Sequence, residues 1–138
     1  MENNTLVCYL RGNNHYCGMK CFSQDDGKTW EGPYPTLMPF LRGRPAAGVL
    51  KSGKVLVTYR YGSNENYFGY IESRESALCS DKSKQKGKIL PIAHQSHGGA
   101  GYTGWIQLPN EEILHIGALT KDAPKYYIEA RRFWERDI

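Results

Sequence analysis

The sequence lacks the features that place a chain in a membrane or mark it for export. No apolar run approaches the ~18 to 20 residues that a membrane-spanning helix requires. The first four residues, Met1–Asn4, include no basic residue and lead into no long apolar stretch, so they do not resemble a secretory signal. We therefore expect a soluble protein without a signal peptide and without a membrane partner.

The chain also lacks a paired cysteine motif. Its four cysteines are Cys8, Cys17, Cys21 and Cys79. No two of them form a C-x-x-C pair, and Cys17 and Cys21 with His15 have neither the spacing nor the fourth ligand that zinc prefers. We therefore predict no metal site and no cofactor. On a strand Cys17, Met19 and Cys21 share one face, and we expect them to be buried small apolar side chains.

A concentrated patch of one charge is absent as well. The 138 residues contain 18 Lys and Arg against 14 Asp and Glu, and the net charge of +4 is scattered along the chain. The densest basic group spans Lys82–Lys88, where lysine alternates with polar residues or glycine and no aromatic residue is interleaved. This pattern indicates a solvated turn, and we predict no nucleic-acid partner.

The sequence is rich in turn-forming and aromatic residues, with 15 Gly, 7 Pro, 10 Tyr and 3 Trp. Short apolar or alternating segments are bounded by Gly, Pro, Asn or Ser, which is the signature of strands and hairpins. We therefore predict an all-β fold over residues 1–138, and the pattern identifies no helix. The predicted strands are 5–11, 16–23, 46–51, 54–61, 67–79, 87–93, 102–108, 112–118 and 125–133.

Two segments of the chain are repeated. Leu6–Tyr9 returns 50 residues later as Leu56–Tyr59, and Leu50–Leu56 returns 58 residues later as Leu108–Leu114. Each of the longer copies is an apolar strand end, a four-residue polar turn and a second apolar strand. Units of about 50 residues with four short antiparallel strands are typical of propeller blades, so the chain is expected to supply about 2.5 to 3 blades.

The most specific motif is Ser23–Trp30, which fits the pattern S-x-D-x-G-x-T-W at all five fixed positions. The side chains of Ser23 and Asp25 are suited to bond backbone amides of a hairpin turn, and Gly27 permits positive φ. Thr29 begins the next strand, and Trp30 is expected to lay its ring over the turn. We assign a structural role to this motif.

The motif and its surroundings resemble the Asp-box, or bacterial neuraminidase repeat, proteins, whose best-known members are sialidases with a six-bladed β-propeller. Ser23–Trp30 matches the Asp box, and Arg44–Tyr59 looks like the blade opening of that family. Gly101–Pro109 is similar to a late blade element of the family, and Tyr127–Phe133 looks like its closing strand. The resemblance implies the C-terminal half of a sialidase-like propeller that acts on, or binds, the acidic sugars of glycans.

Within that resemblance, Tyr102 stands at the position of the family's catalytic nucleophile. Sialidases use a tyrosine there because a carboxylate nucleophile would be repelled by an anionic sugar. In sialidases the planar guanidinium groups of arginines bind the sugar's carboxylate through paired hydrogen bonds. The resemblance implies that the substrate-binding residues here are Arg74, Arg44 and Arg60. No glutamate of this chain can be assigned as the group that takes the tyrosine's proton, so a rim or core tyrosine is an equally open interpretation.

Other positions depart from the family pattern. Ser80 and Asp81 stand where a second Asp box would fall, but its tail is missing, and Glu111 replaces an expected turn glycine. His97 and glycines replace an acidic residue before Tyr102, and we interpret the segment with His94 as a polar loop lining a sugar site rather than a metal pair.

The resemblance places the acid/base aspartate and the first arginine in a half that this sequence does not contain. If active, the protein would be a retaining glycoside hydrolase whose site is completed by another chain or by a missing half. Two alternatives stay open: a non-catalytic module that binds glycans or proteins, and a truncated gene product without activity. Because incomplete propellers expose sheet faces and edges, we also expect a homodimer that completes a six-bladed ring.

Overall fold

A computed structural model describes residues 4–12, 16–62, 66–94, 99–120 and 125–138. Its ten strands are β1 (Leu6–Leu10), β2 (Cys17–Ser23), β3 (Glu31–Pro39), β4 (Leu41–Val49), β5 (Val55–Tyr61), β6 (Asn66–Glu72), β7 (Gly87–Ala93), β8 (Gly99–Gln107), β9 (Ile113–Thr120) and β10 (Tyr127–Phe133). Helical structure in these parts of the chain is limited to α1 (Arg74–Ala77) and two 3-10 turns, Lys82–Lys84 and Glu135–Asp137. The all-β expectation is confirmed, and no described helix is long and apolar enough to cross a membrane.

The strands form three antiparallel sheets in chain order. The first sheet contains β1, β2 and β3, the second contains β4 to β7, and the third contains β8, β9 and β10. Neighbours in the sequence are neighbours in each sheet, as expected when short polar turns connect consecutive apolar strands. Each sheet is therefore a meander.

The second sheet is covered on both faces. Tyr59 and Tyr70 pack with Tyr9 of the first sheet, and Leu56 packs with Ile113 of the third sheet. Burial of an aliphatic side chain such as that of Leu56 or Ile113 contributes about 1.5 to 3 kcal/mol. When both faces of a strand are buried, apolar residues are favoured at consecutive positions instead of at alternate ones. This explains the continuous apolar run at the start of β5.

The first strands of the second and third sheets run side by side in the same direction. The indole Nε1 of Trp105 in β8 donates to the carbonyl of Ala46 in β4 at 3.1 Å. Two residues beyond the end of β4, the amide of Lys51 donates to Oε1 of Gln107, the last residue of β8, at 2.7 Å. Meanders that stack face to face with parallel first strands are successive blades, so the chain is a partial β-propeller.

The 58-residue repeat is visible in two hairpin turns with the same hydrogen bonds. In the first turn, Leu50 donates to the Lys54 carbonyl and Gly53 donates to the Leu50 carbonyl, at 2.8 and 2.9 Å. In the second turn, Leu108 and Glu111 make the equivalent bonds at 2.8 and 3.0 Å. Gly53 has φ of 85° and Glu111 has φ of 69°, so the glutamate occupies the left-handed conformation that favours glycine.

The 50-residue repeat, in contrast, does not describe the structure. Val7 and Tyr9 face the second sheet, whereas Val57 and Tyr59 face the first sheet from the other side of the same core. The repeat therefore pairs residues that lie on opposite faces of their sheets. The two segments have similar apolar sequences, but their matched residues do not occupy equivalent positions in the fold.

Several predicted boundaries are also wrong. The predicted strands omit β3. Its Pro33 and Pro35 disfavour a strand in general, but β3 is an edge strand, where proline is tolerated. The predicted strand 67–79 ends at Glu72, because the Ser73 hydroxyl accepts a hydrogen bond from the Ser76 amide and begins α1. β4 begins at Leu41, five residues earlier than predicted.

The cysteine face of β2 also differs from the expectation. Cys17, Met19 and Cys21 do share one face, but they are only half-buried. The alternate face, with Lys20 and Phe22, is the buried one. Alternation predicted the grouping of these residues correctly but not which group faces the core.

Candidate functional site

Arg44 and Tyr102 meet at the end of the second and third sheets where β4 and β8 begin, which we call the arginine end. The guanidinium carbon of Arg44 lies 5.3 Å from the centroid of the Tyr102 ring, within the range of a cation–π contact. Both side chains are exposed, and Tyr102 retains 60% of its accessible surface. The contact joins two candidate residues from different blades.

Irregular pairing positions both residues. The register of β4 on β5 shifts between Arg42 and Ala46, and the register of β8 on β9 shifts between Ala100 and Thr103. Bulges of this kind turn a side chain away from the regular alternation of a strand. Arg44 and Tyr102 each lie inside such a shift, so the local departures from the ladder allow them to meet.

Arg60 is half-buried beneath this pair. Its Nη1 donates to the carbonyl of Ala100 at 2.8 Å, which ties β5 to β8 two residues before Tyr102. Its buried Nε has no hydrogen-bond partner in the described structure. Gly43, with φ of 73°, passes directly over this side chain, since a Cβ at that glycine would lie 3.5 Å from Nε. Arg60 thus holds the strand that carries Tyr102.

The arginine end is basic in the parts of the chain that the structure describes. Arg42 lies beside Arg44 and is exposed. The nearest described carboxylate along the strands is that of Glu129 in β10, which pairs with Arg131. The opposite end of the sheets carries charges of both signs, among them Glu72, Glu111 and Glu135 beside Lys51, Lys54 and Arg74. Among the described residues, arginines thus outnumber carboxylates at the arginine end, which favours an anionic ligand there.

Arg74 lies elsewhere. It is the first residue of α1, just beyond Glu72, which pairs with Val55 at the far end of the second sheet. Arg44 lies at least four residues away along the strands, roughly 13 Å. The prediction that Arg74 lies on a strand over residues 67–79 is wrong, because Ser73 ends that strand with a helix cap, and the structure does not bring Arg74 to Tyr102.

The histidine segment before β8 is only partly described. His94 Nδ1 and Asn66 Oδ1 are hydrogen-bonded at 2.6 Å, at the arginine end. His97, and the His15 of the other metal hypothesis, lie outside the described residues. Among the residues that are described, no group of three or more His, Cys, Asp or Glu is arranged to hold a metal ion, and the four cysteines are free thiols.

The Ser23–Trp30 turn lies at the end opposite the arginine end. The Ser23 hydroxyl accepts from the Gly27 amide at 2.8 Å, and the Asp25 carboxylate accepts from the Thr29 amide at 2.9 Å and from its hydroxyl at 2.6 Å. Trp30 Nε1 donates to the Gly27 carbonyl at 3.0 Å. The Thr29 hydrogen bonds lower the pKa of Asp25 to about 2. The carboxylate is used entirely within the turn.

A buried polar cluster joins the first and second sheets, and sequence reasoning missed it. Glu72 accepts hydrogen bonds from the hydroxyls of Tyr9 at 2.6 Å, Ser76 at 2.7 Å and Tyr70 at 3.3 Å. Lys20, which is fully buried, donates from Nζ to the Ser76 carbonyl at 2.8 Å. Burial lowers the pKa of Lys20, and burial next to Glu72 raises the pKa of Tyr9.

A second cluster holds the third sheet against the second sheet. The Thr103 hydroxyl donates to Thr58 Oγ1 at 3.2 Å and is hydrogen-bonded to His115 Nε2. Which of the two atoms donates in the bond between Thr103 and His115 depends on the tautomer of the histidine. Its buried Nδ1 has no partner among the described residues, and burial lowers the pKa of His115 to about 4. The cluster therefore places a neutral histidine in contact with Thr103, the residue that follows Tyr102 on β8.

Comparisons with known proteins agree with this architecture. No protein-family model matches the chain, and no curated protein matches it. Among solved structures, the chain is similar to the intramolecular trans-sialidase from Ruminococcus gnavus, in complex with oseltamivir carboxylate, with a TM-score of 0.67 and 16% sequence identity. The match covers 99% of this chain and 32% of the trans-sialidase chain. The chain therefore has a sialidase-like fold and spans about a third of that protein's length.

Proposed function

We propose that this protein binds a carboxylate-bearing sugar of a glycan at the arginine end. The observation that supports the proposal best is the contact between Arg44 and Tyr102 across two blades. A guanidinium presents a planar fork that matches a carboxylate, and contact with an aromatic ring restricts the orientation of that fork. The basic surroundings and the sialidase-like fold support the same ligand class.

Hydrolysis of the sugar is a second candidate function, favoured by the exposed position of Tyr102 on the first strand of its blade. For a retaining reaction, the phenol oxygen would attack the anomeric carbon while a base accepted the phenol proton and an acid protonated the departing oxygen. The described residues place no carboxylate in hydrogen-bond contact with Tyr102. Recognition of the sugar is therefore the primary proposal, and hydrolysis would need groups from elsewhere.

Binding is tested by titrating N-acetylneuraminic acid and its methyl ester into the labelled protein and following chemical shifts. We expect the acid to bind at least about tenfold more tightly than the uncharged ester, since a charged hydrogen-bonded pair contributes about 1.5 to 3 kcal/mol. Arg44→Met should remove that preference. Arg74→Met, which removes the same charge at the other end of the sheet, is the matched control and should leave it intact.

Equal binding of acid and ester would contradict the proposal, as would equal effects of the two arginine substitutions. Turnover of a fluorogenic sialoside separates the two candidates. Hydrolysis requires turnover that Tyr102→Phe abolishes while acid binding persists. Binding without turnover supports recognition alone, and absence of both would favour a chain without this activity.

A further inference from the structure

One face of the third sheet is apolar and open to solvent. Tyr102, Ile106, Ile116 and Ile128 project from it and retain 60%, 56%, 44% and 81% of their accessible surface. A groove of about 480 Å³ runs between these side chains and is lined almost wholly by apolar groups. We call this surface the open face. Exposed apolar surface of this extent on a folded domain marks an interaction site.

The second sheet has an equivalent face that is buried, and it can be compared with the open face. Leu56 and Thr58 lie 58 positions before Leu114 and Ile116 in the sequence, and the third sheet covers both of them completely. Tyr67, which occupies the place on β6 that Ile128 occupies on β10, is 1% exposed. The chain thus buries one copy of this face and leaves the second copy uncovered, so the open face has the form that receives a further sheet.

In the described parts of the chain, no other sheet packs on the second face of the first sheet. Cys8, Leu10, Met19 and Cys21 point away from the second sheet and are half-buried. None of these side chains is charged. Each sheet turns one face toward the preceding sheet and the other toward the following sheet. The third sheet's open face would receive a following sheet, and this face of the first sheet would receive a preceding one. The two faces would therefore lie against each other if the propeller continued.

We propose that a second copy of this chain covers the open face, with its first sheet packed on the third sheet of its partner and the reciprocal contact closing the ring. Three strands about 4.8 Å apart and about seven residues long form a face of roughly 320 Å². A single contact therefore buries roughly 650 Å² in total, well below the ~1,200 Å² of a stable interface, whereas two equivalent contacts bury roughly 1,300 Å².

The area therefore favours two contacts over one. Two copies supply six sheets, within the range of four to eight that closes a propeller, and a two-fold axis relates the two contacts. The partner would also line the side of Tyr102 that faces away from Arg44. The interface does not depend on which ligand the arginine end binds.

The test is the solution mass of the purified chain by light scattering at about 100 µM, well above the concentration at which a standard-size interface associates. We expect a mass twice that of the chain. Ile116→Lys and Ile106→Lys should each give a folded monomer, with folding checked by circular dichroism. Ile89→Lys, which changes an exposed isoleucine of β7 outside both faces, should leave the dimer intact.

Cysteine alkylation distinguishes which faces meet. In the dimer, Cys8 and Cys21 should react slowly with iodoacetamide, and Ile116→Lys should accelerate both at least about tenfold, the ratio expected when an interface worth 1.4 kcal/mol or more is lost. Cys79 lies in neither face and should react equally in both proteins. A monomeric wild type, a dimer that survives both lysine substitutions, an open-ended assembly, or unchanged alkylation of Cys8 and Cys21 would each overturn the proposal.

Discussion

Acidification is expected to destabilise the protein through His115. This side chain is 1% exposed, and its pKa in the folded protein is about 4, against about 6.5 in an unfolded chain. The unfolded chain therefore binds a proton between these two values that the folded protein does not bind. Stability is complete above about pH 6.5 and falls as the pH decreases toward 4.

The size of the effect follows from the two pKa values. Between about pH 7.5 and pH 5.0, protonation of the unfolded chain alone lowers the free energy of unfolding by about 2 kcal/mol. Carboxylates with lowered pKa, such as that of Asp25 at about 2, titrate mainly below this window. The histidine should therefore dominate the change.

Urea unfolding at several pH values, followed by the fluorescence of Trp105 between the second and third sheets, measures this dependence. His115→Val is the control, because Val57 occupies the equivalent position 58 residues earlier and is fully buried. The variant should keep little of the slope between pH 5.0 and 7.5. An unchanged slope in the variant, or greater wild-type stability at the lower pH, would refute the reasoning.

Three further predictions concern stability and are checked by urea midpoints. Glu111→Gly should stabilise the protein by about 1 kcal/mol, because glycine adopts the left-handed backbone of this position without strain. Gly53→Ala should destabilise it by about as much: an added Cβ meets nothing within 4 Å, so the left-handed backbone alone causes the loss. Changes of the same sign in the two variants would contradict this reasoning. Glu72→Gln should cost about 2 kcal/mol or more, since an amide cannot accept from three hydroxyls, and a neutral result would show that the cluster is not fully formed. Gly87→Ala should cost about 1 to 3 kcal/mol because its Cβ would overlap the buried Tyr70 ring, and tolerance would mean that this ring moves freely.

The hairpins were predictable because their information is local. Leu50–Leu56 and Leu108–Leu114 each contain an apolar strand end, a polar turn and a second strand, and both fold as predicted. β3 was not predictable in this way, since Pro33 and Pro35 disfavour a strand everywhere except at an edge. Whether a strand lies at an edge depends on the assembled sheet rather than on the segment.

The site was less predictable than the fold. Arg44 and Tyr102 were proposed from a family resemblance, but their contact depends on two register shifts that leave no local signature. The displacement of Arg74 did have a signal, since Ser73 followed by the acidic Glu75 is a helix start. Lys20 had none, because alternation groups residues on a face without saying which face is buried.

A single residue, Phe40, connects the first sheet to the second. Its φ is 44°, its amide donates to the Tyr16 carbonyl at 2.9 Å, and its carbonyl accepts from the Gly62 amide at 3.0 Å. These bonds tie Phe40 to the start of β2 in the first sheet and to the end of β5 in the second sheet. The connection between the two sheets therefore cannot bend as a hinge while both bonds are intact. A change of angle between these two blades must break at least one of these bonds, so we expect the first and second blades to move as one rigid body.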